Sequence, residues 1–310
     1  AQGVGKTVSK AIGNTRGCGL EVWDAFHPSH LPLPRAVGPY TVVRTSALIS
    51  SSAKVNIIGT FQYASSFEHH WTNVGMFSSE NSSLPVNAPA NTFHHSVPFP
   101  GSNVVGSGLT AVPSAISVQV MNSNPLQTTE GICAGAVSHA QLDLRGRTET
   151  WDTLASDFVS FMRPRLMSAG KLTLRGVQMD SYPLSMAACS EFLGVVDVPD
   201  GLVSWTAGEN YHPTGWAPLV IVNQGAPNST NLELQFLITV EWRVRFDIRN
   251  PAVASHRNHG VTSDSKWSEM INAAVGRGHG VLDIVEKVAN TGSAVLTAAS
   301  AARGLAGLLA

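Results

Sequence analysis

The sequence is short of charge. Of its 310 residues, 20 are Lys or Arg and 21 are Asp or Glu, so charged side chains make up 13% of the chain and the formal net charge is −1. A typical soluble domain carries about 25%. With 43% hydrophobic residues, the chain is not disordered as a whole, since that needs low hydrophobicity and high net charge. Its total charge also excludes a strongly basic nucleic-acid binder. Cysteine is scarce: Cys18, Cys133 and Cys189 are far apart and show no CxxC spacing, so they read as free thiols in a core or an interface. The run of about 18 uninterrupted apolar residues that a polytopic membrane protein needs does not occur.

The motifs of catalysis are missing too. There is no Gly-x-Ser-x-Gly elbow and no arguable Cys–His pair. Gly5-Lys6-Thr7 has neither the first glycine of a P-loop within the chain nor a strand leading into it. The adjacent pairs His69-His70 and His94-His95 would point to opposite faces of a strand, so neither is a ready chelate. His-x-His, the mark of a jelly-roll metalloenzyme, is absent.

What the chain does have is β periodicity. From Leu232 to Ile248 every second residue is apolar: Leu232, Leu234, Phe236, Ile238, Val240, Trp242, Val244, Phe246 and Ile248. Seventeen residues at about 3.3 Å each predict a strand of roughly 55 Å. Thr41–Ile49, Val55–Tyr63 and Ile116–Val120 alternate in the same way, and Ile132–Val137, Leu172–Val177 and Leu219–Val222 read as further strands. Between Ala64 and Pro113 a Ser/Asn/Pro/Gly-rich stretch is too long for a hairpin loop and predicts a large excursion with short strands of its own. Two helices stand out. Trp151, Leu154, Ala155, Phe158 and Met162 form a stripe with Thr150 as N-cap and Pro164 as terminator. Trp267, Met270, Ile271, Ala274 and Val275 form a second stripe capped by Asp264 or Ser265, and after Gly276, Gly278 and Gly280 it resumes at Val281, Leu282, Val285 and Val288.

Many strands, one mid-chain helix and long loops predict an all-β fold, an antiparallel jelly-roll sandwich with one internal helix and C-terminal helices. The boundaries expected are an N-terminal arm at 1–36, a sandwich at 37–250 and a C-terminal helical segment at 251–310. Charge is uneven along this plan. Residues 1–20 hold Lys6, Lys10 and Arg16 and no acid, and no Lys or Arg occurs from Val55 to Leu144. Basic residues return at Arg145/Arg147, Arg163/Arg165, Lys171/Arg175 and Arg243/Arg245/Arg249. A shell subunit with one side toward anionic cargo would show such polarity.

Three segments together resemble the single jelly-roll capsid proteins of small non-enveloped positive-strand RNA viruses, of the nodavirus-like and tombusvirus-like kind. They are Trp23-Asp24-Ala25-Phe26-His27-Pro28 running into Leu31-Pro32-Leu33-Pro34-Arg35, the late strand Val240–Phe246 followed by Asn250-Pro251-Ala252, and the tail Gly304-Leu305-Ala306-Gly307-Leu308-Leu309. The resemblance implies an eight-stranded sandwich that packs with copies of itself into an icosahedral shell of T=3 geometry around viral single-stranded RNA. Its location would be the virion, and the host cytoplasm during assembly. The arm would face RNA through Lys6, Lys10 and Arg16, a thin basic set. Either a more basic segment precedes Ala1 or the later arginines contribute.

The resemblance also implies calcium at subunit interfaces, for which Asp197 and Asp200 on one loop are the candidate oxygen ligands. It implies a C-terminal segment active on the host membrane. Residues 291–310 hold one charged side chain, Arg303, and the apolar Val295, Leu296, Leu305, Leu308 and Leu309. As a helix they would reach roughly 30 Å. Autoproteolysis at Asn290-Thr291 is the one enzymatic step the resemblance suggests; otherwise no enzyme is expected. The alternative is a jelly-roll carbohydrate-binding or adhesin module, which would need a discrete ligand site and no helical tail.

Overall fold

The computed structural model describes residues 21–27, 32–59, 75–79, 83, 85–86, 91–94, 109–144, 147–197, 203–205, 215–224, 232–276 and 281–283. In chain order the strands are β1 (Thr41–Ser51), β2 (Val55–Gly59), β3 (Gly75–Ser79), β4 (Asn91–His94), β5 (Thr110–Asn122) and β6 (Ile132–Val137). Helix α1 (Trp151–Phe161) follows, then β7 (Arg165–Ser168), α2 (Ala169–Leu174), β8 (Val177–Asp180), α3 (Ala187–Ser190), β9 (Leu193–Asp197), β10 (Val203–Trp205), β11 (Leu219–Gln224) and β12 (Leu234–Arg245). After β12 come α4 (Asp264–Gly276) and β13 (Val281–Asp283).

Eight of these strands wind as one long folded hairpin. β1 pairs with β12, β2 with β11, β5 with β8 and β6 with β7, every pair antiparallel. Rolled up, the four pairs make two four-stranded sheets, β1-β12-β5-β8 and β2-β11-β6-β7, which is the jelly-roll order. The remaining strands extend the sheets at their margins. β3 and β4 add to β2, as the excursion between Ala64 and Pro113 predicts. β9 takes up the edge of β5 where β8 leaves it: Asp180 lies against Ser117, and Leu193 against Ala111. One strand is thus split by residues 181–192, which carry α3. β13 lies on the free edge of β8.

The core lies between the sheets. Ile116, Val118 and Val120 of β5 and Phe236, Ile238, Val240 and Trp242 of β12 face Ile58, Cys133, Val137, Leu219 and Ile221, all buried. Both cysteines described here are core residues, as their spacing suggests. A second, smaller core forms on the outer face of the other sheet. There Trp151, Leu154, Ala155 and Phe158 of α1 cover Ala134, Ala136, Val220 and Val222. Helix α1 matches the sequence stripe, and the Thr150 hydroxyl accepts the Thr153 N–H as N-cap. It ends at Met162, and Arg163 reverses the chain at φ 46° ahead of Pro164.

Four expectations need correction. Leu172–Val177 is not a strand: α2 occupies Ala169–Leu174, capped by Ser168, and Gly176 (φ 61°) turns the chain into β8. A short apolar run has no period long enough to separate the two structures. Val281 and Leu282 do not resume a helix; they pair with Met179 and Gln178 as β13, because an open sheet edge supplies backbone partners that an isolated turn lacks. The helix α4 is capped by Ser263, whose oxygen accepts the Lys266 N–H, not by Asp264 or Ser265. β5 also begins well before Ile116. It passes through Pro113, which the register shift at Glu241/Trp242 accommodates, since a bulge is where a strand tolerates a missing N–H.

The two cores should respond differently to substitution. Phe236→Ala, which empties a fully buried site, is expected to cost about 3–5 kcal/mol. Thr150→Ala, which removes a cap, should cost about 1 kcal/mol. Urea unfolding measures both.

Candidate functional site

The outer face of the β1-β12-β5-β8 sheet is where the chain's polar chemistry collects. Glu241 and Arg243 alternate with the core residues of β12 and so point outward, yet each is only 1% exposed. Burying charges this way requires partners. Glu241 accepts two hydrogen bonds from Arg44 across the β1 ladder, at 2.9 and 2.7 Å. It accepts a third at 2.9 Å from Ser114, the residue displaced by the β5 irregularity. Arg243 donates to the Cys189 carbonyl and lies over the Tyr40 ring.

Terminal segments cover this face. The Ala25 N–H donates to Ser117 Oγ at 2.8 Å, and Ser117 donates to Asp180 at 2.7 Å. Gln178 donates to both Asp24 and Asp180, each at 2.8 Å. Trp23 meets Trp267 of α4 and Trp216 edge-on, with centroids 5.5 and 6.4 Å apart. The segment after β12 is pinned beside the start of β1. Tyr40 and Arg257 exchange backbone hydrogen bonds, and His259 stacks on Tyr40 at 3.8 Å. Trp23, in a stretch singled out in the sequence, thus meets α4, and the Asn250-Pro251-Ala252 turn leads from β12 into the segment pinned at Tyr40; together these contacts form a clamp.

The other sheet keeps its outer face under α1, and its margin is apolar. Phe161 is 83% exposed at the end of α1, and Leu166 on β7 is 69% exposed. Ile132 shares the face of Leu166 through the β6–β7 register and is exposed as well. Four basic residues, Arg163, Arg165, Lys171 and Arg175, follow along β7 and α2. No motif marks this margin in the sequence; only solvent exposure of large apolar side chains reveals it.

Burial pushes the Cys133 thiol up to about 12 and that of Cys189 to about 11, so neither is a thiolate near neutrality. Among the described residues no three His, Cys, Asp or Glu side chains gather as a metal site, and no helix is long and apolar enough to cross a membrane. Asp197 ends β9 in the backbone trace. Lys6, Lys10, Arg16, Asp200, Asn290, Val295, Leu296, Leu305, Leu308 and Leu309 lie outside the described residues.

No protein-family model matches the chain. A search of curated proteins finds no match either. Solved structures do superpose on it. The structure of infectious bursal disease virus, Gx strain, covers 86% of this chain and 97% of its own, at 9% identity and a TM-score of 0.45. The decameric BFDV capsid protein covers 67% and 99%, at 7% identity and a TM-score of 0.31. Mud crab tombus-like virus covers 69% and 86%, at 11% identity and a TM-score of 0.27.

The clamp contains a pH-sensitive bond. The Phe246 N–H donates to His256 Nε2 at 3.0 Å, which requires a bare nitrogen and so a neutral imidazole. Burial, reinforced by the Arg245 charge, lowers the His256 pKa below its usual 6.5. A lowered histidine pKa means that the fold favours the neutral ring. Its contribution is therefore full above 6.5 and is lost as pH falls through the lowered value. Amide exchange at Phe246, corrected for intrinsic rates, should be slow at neutral pH and accelerate on acidification. His256→Gln, which keeps an acceptor that does not titrate, should flatten that dependence.

Proposed function

We propose that this chain is the capsid protein of a small non-enveloped positive-strand RNA virus, assembling with copies of itself into an icosahedral shell of T=3 geometry around single-stranded RNA. One observation carries the reading. The chain's own strand pairing closes a jelly roll whose outward sheet faces are largely covered by its own helix and terminal segments, while large apolar side chains remain on the rim. A module that binds a small ligand presents a concave face. A tile presents edges. Phe161, Leu166 and Ile132 are edge residues of this kind, and the low overall charge suits a subunit that buries its margins against its neighbours. The sequence resemblance at Trp23–Arg35 and Val240–Ala252 points the same way.

Electron microscopy of the expressed protein tests assembly. Particles of tens of nanometres support the proposal, and a persistent monomer favours a binding or adhesin module. Phosphate neutralisation needs charge rather than fixed geometry, so the arm is the natural RNA contact. Reversing the charges of Lys6, Lys10 and Arg16 is expected to lower the ratio of 260- to 280-nm absorbance of purified particles. An unchanged ratio would shift RNA contact to the arginines of the sandwich.

Within the same proposal, residues 291–310 act on the host membrane during entry, because a helix of that length matches a bilayer core of about 30 Å. A synthetic peptide of 291–310 should release dye from liposomes. An inert peptide counts against a membrane role. Mass spectrometry of particles reads whether the chain is cut after Asn290.

A further inference from the structure

β1 is the outermost strand of its sheet, and one of its long edges has no strand partner among the described residues. Tyr40, just before it, gives both its N–H and its C=O to Arg257, while Thr41 pairs with Val244 on β12. Backbone groups alternate between the two edges of a strand. Val42, Arg44, Ser46, Leu48 and Ser50 therefore turn their N–H and C=O groups away from β12. This open ladder belongs to a regular strand with no bulge against β12. It has no proline, no lysine and no early end, and its single charged side chain is Arg44. Leu48 is 71% exposed. Thr41, Val43, Thr45, Ala47 and Ile49, which face the sandwich, stay only half-buried.

We propose that this edge of β1 pairs antiparallel with the β1 edge of a second copy of the chain, joining two sandwiches into one continuous sheet across a two-fold axis. The proposal rests on the shell reading only in supposing that copies meet. The occupant must be an extended strand with uncharged or small side chains at alternate positions, and every copy offers one. A two-fold contact sets residue i against j and j against i, and only the residue on the axis against its own mate, so the register of greatest overlap centres on Ser46. Ser46 then meets Ser46, Arg44 meets Leu48 and Val42 meets Ser50. No like charges oppose each other, because the single charge on the strand, Arg44, is already held by Glu241 on its own sheet face. Pairing would also complete the burial of Val43 and Ile49, which pack against the core from the rim.

Ser46→Cys in the full chain, treated with a short bismaleimide, tests the register. A covalent dimer is expected from Ser46→Cys, with at least tenfold less from the unmodified chain, whose described cysteines are buried. Leu48→Lys sets a new cation against Arg44 of the second copy and should weaken dimer formation at least tenfold in sedimentation velocity. That measurement stands even if Ser46→Cys misfolds. Particles that form normally without a Ser46 cross-link overturn the edge pairing and leave the shell reading intact. Cross-linked dimers without particles do the reverse. If cross-linking appears only after residues 1–20 are deleted, the chain covers this edge itself and the proposal fails.

Discussion

Glu241 and Arg243 set the terms for the rest of the molecule. β12 is paired along both edges, with β1 and β5, so its backbone is satisfied by the sheet alone. Its side chains are not so simply placed. One face inserts Phe236, Ile238, Val240 and Trp242 into the sandwich, and the same alternation forces a carboxylate and a guanidinium outward at almost no exposure. A buried ion missing its partner costs several kcal/mol. Arg44, the displaced Ser114 and the Cys189 carbonyl meet that demand directly. The N-terminal stretch and the segment after β12 close over the same sheet face. Trp23 and α4 meet at a distance in sequence that no local propensity would bridge.

This arrangement leaves the sandwich with little free face and much free edge. One sheet is covered by α1, the other by the clamp. Among the described residues what remains is the β1 edge, the apolar rim at Phe161 and Leu166, and the basic run along β7 and α2. In the function proposed above, such a surface serves assembly. A titratable histidine within the clamp then links the covering of the sheet to pH, through a bond that only the neutral imidazole can accept.

The fold was legible in the sequence wherever periodicity ran long. The β12 alternation, the α1 stripe with its Thr150 cap, and the Ile132–Val137 strand all appear within a few residues of their expected places. Short runs were not legible. Leu172–Val177 and Val281–Leu282 hold too few residues to show a period, and their structure was decided by what lay beside them. Pro113 concealed half of β5, because proline argues against a strand unless the bulge at Ser114 is known. The clamp was half legible: Trp23-Asp24 and Asn250-Pro251 stood out as unusual stretches, but nothing in the sequence tied Asp24 to Gln178 or Tyr40 to His259. The apolar rim was not legible at all, since exposure of a leucine or phenylalanine is a property of the folded surface. The arm, Asp200 and the C-terminal segment lie outside the described residues.

Sedimentation velocity of the full chain across a concentration series tests most directly whether this molecule is built to be completed by its own copies. The subunit weighs 32.8 kDa. A shell-forming chain should show a boundary many times larger than the subunit that grows with concentration and carries absorbance at 260 nm. A single boundary at the mass of one subunit, unchanged at the highest concentration, would contradict it.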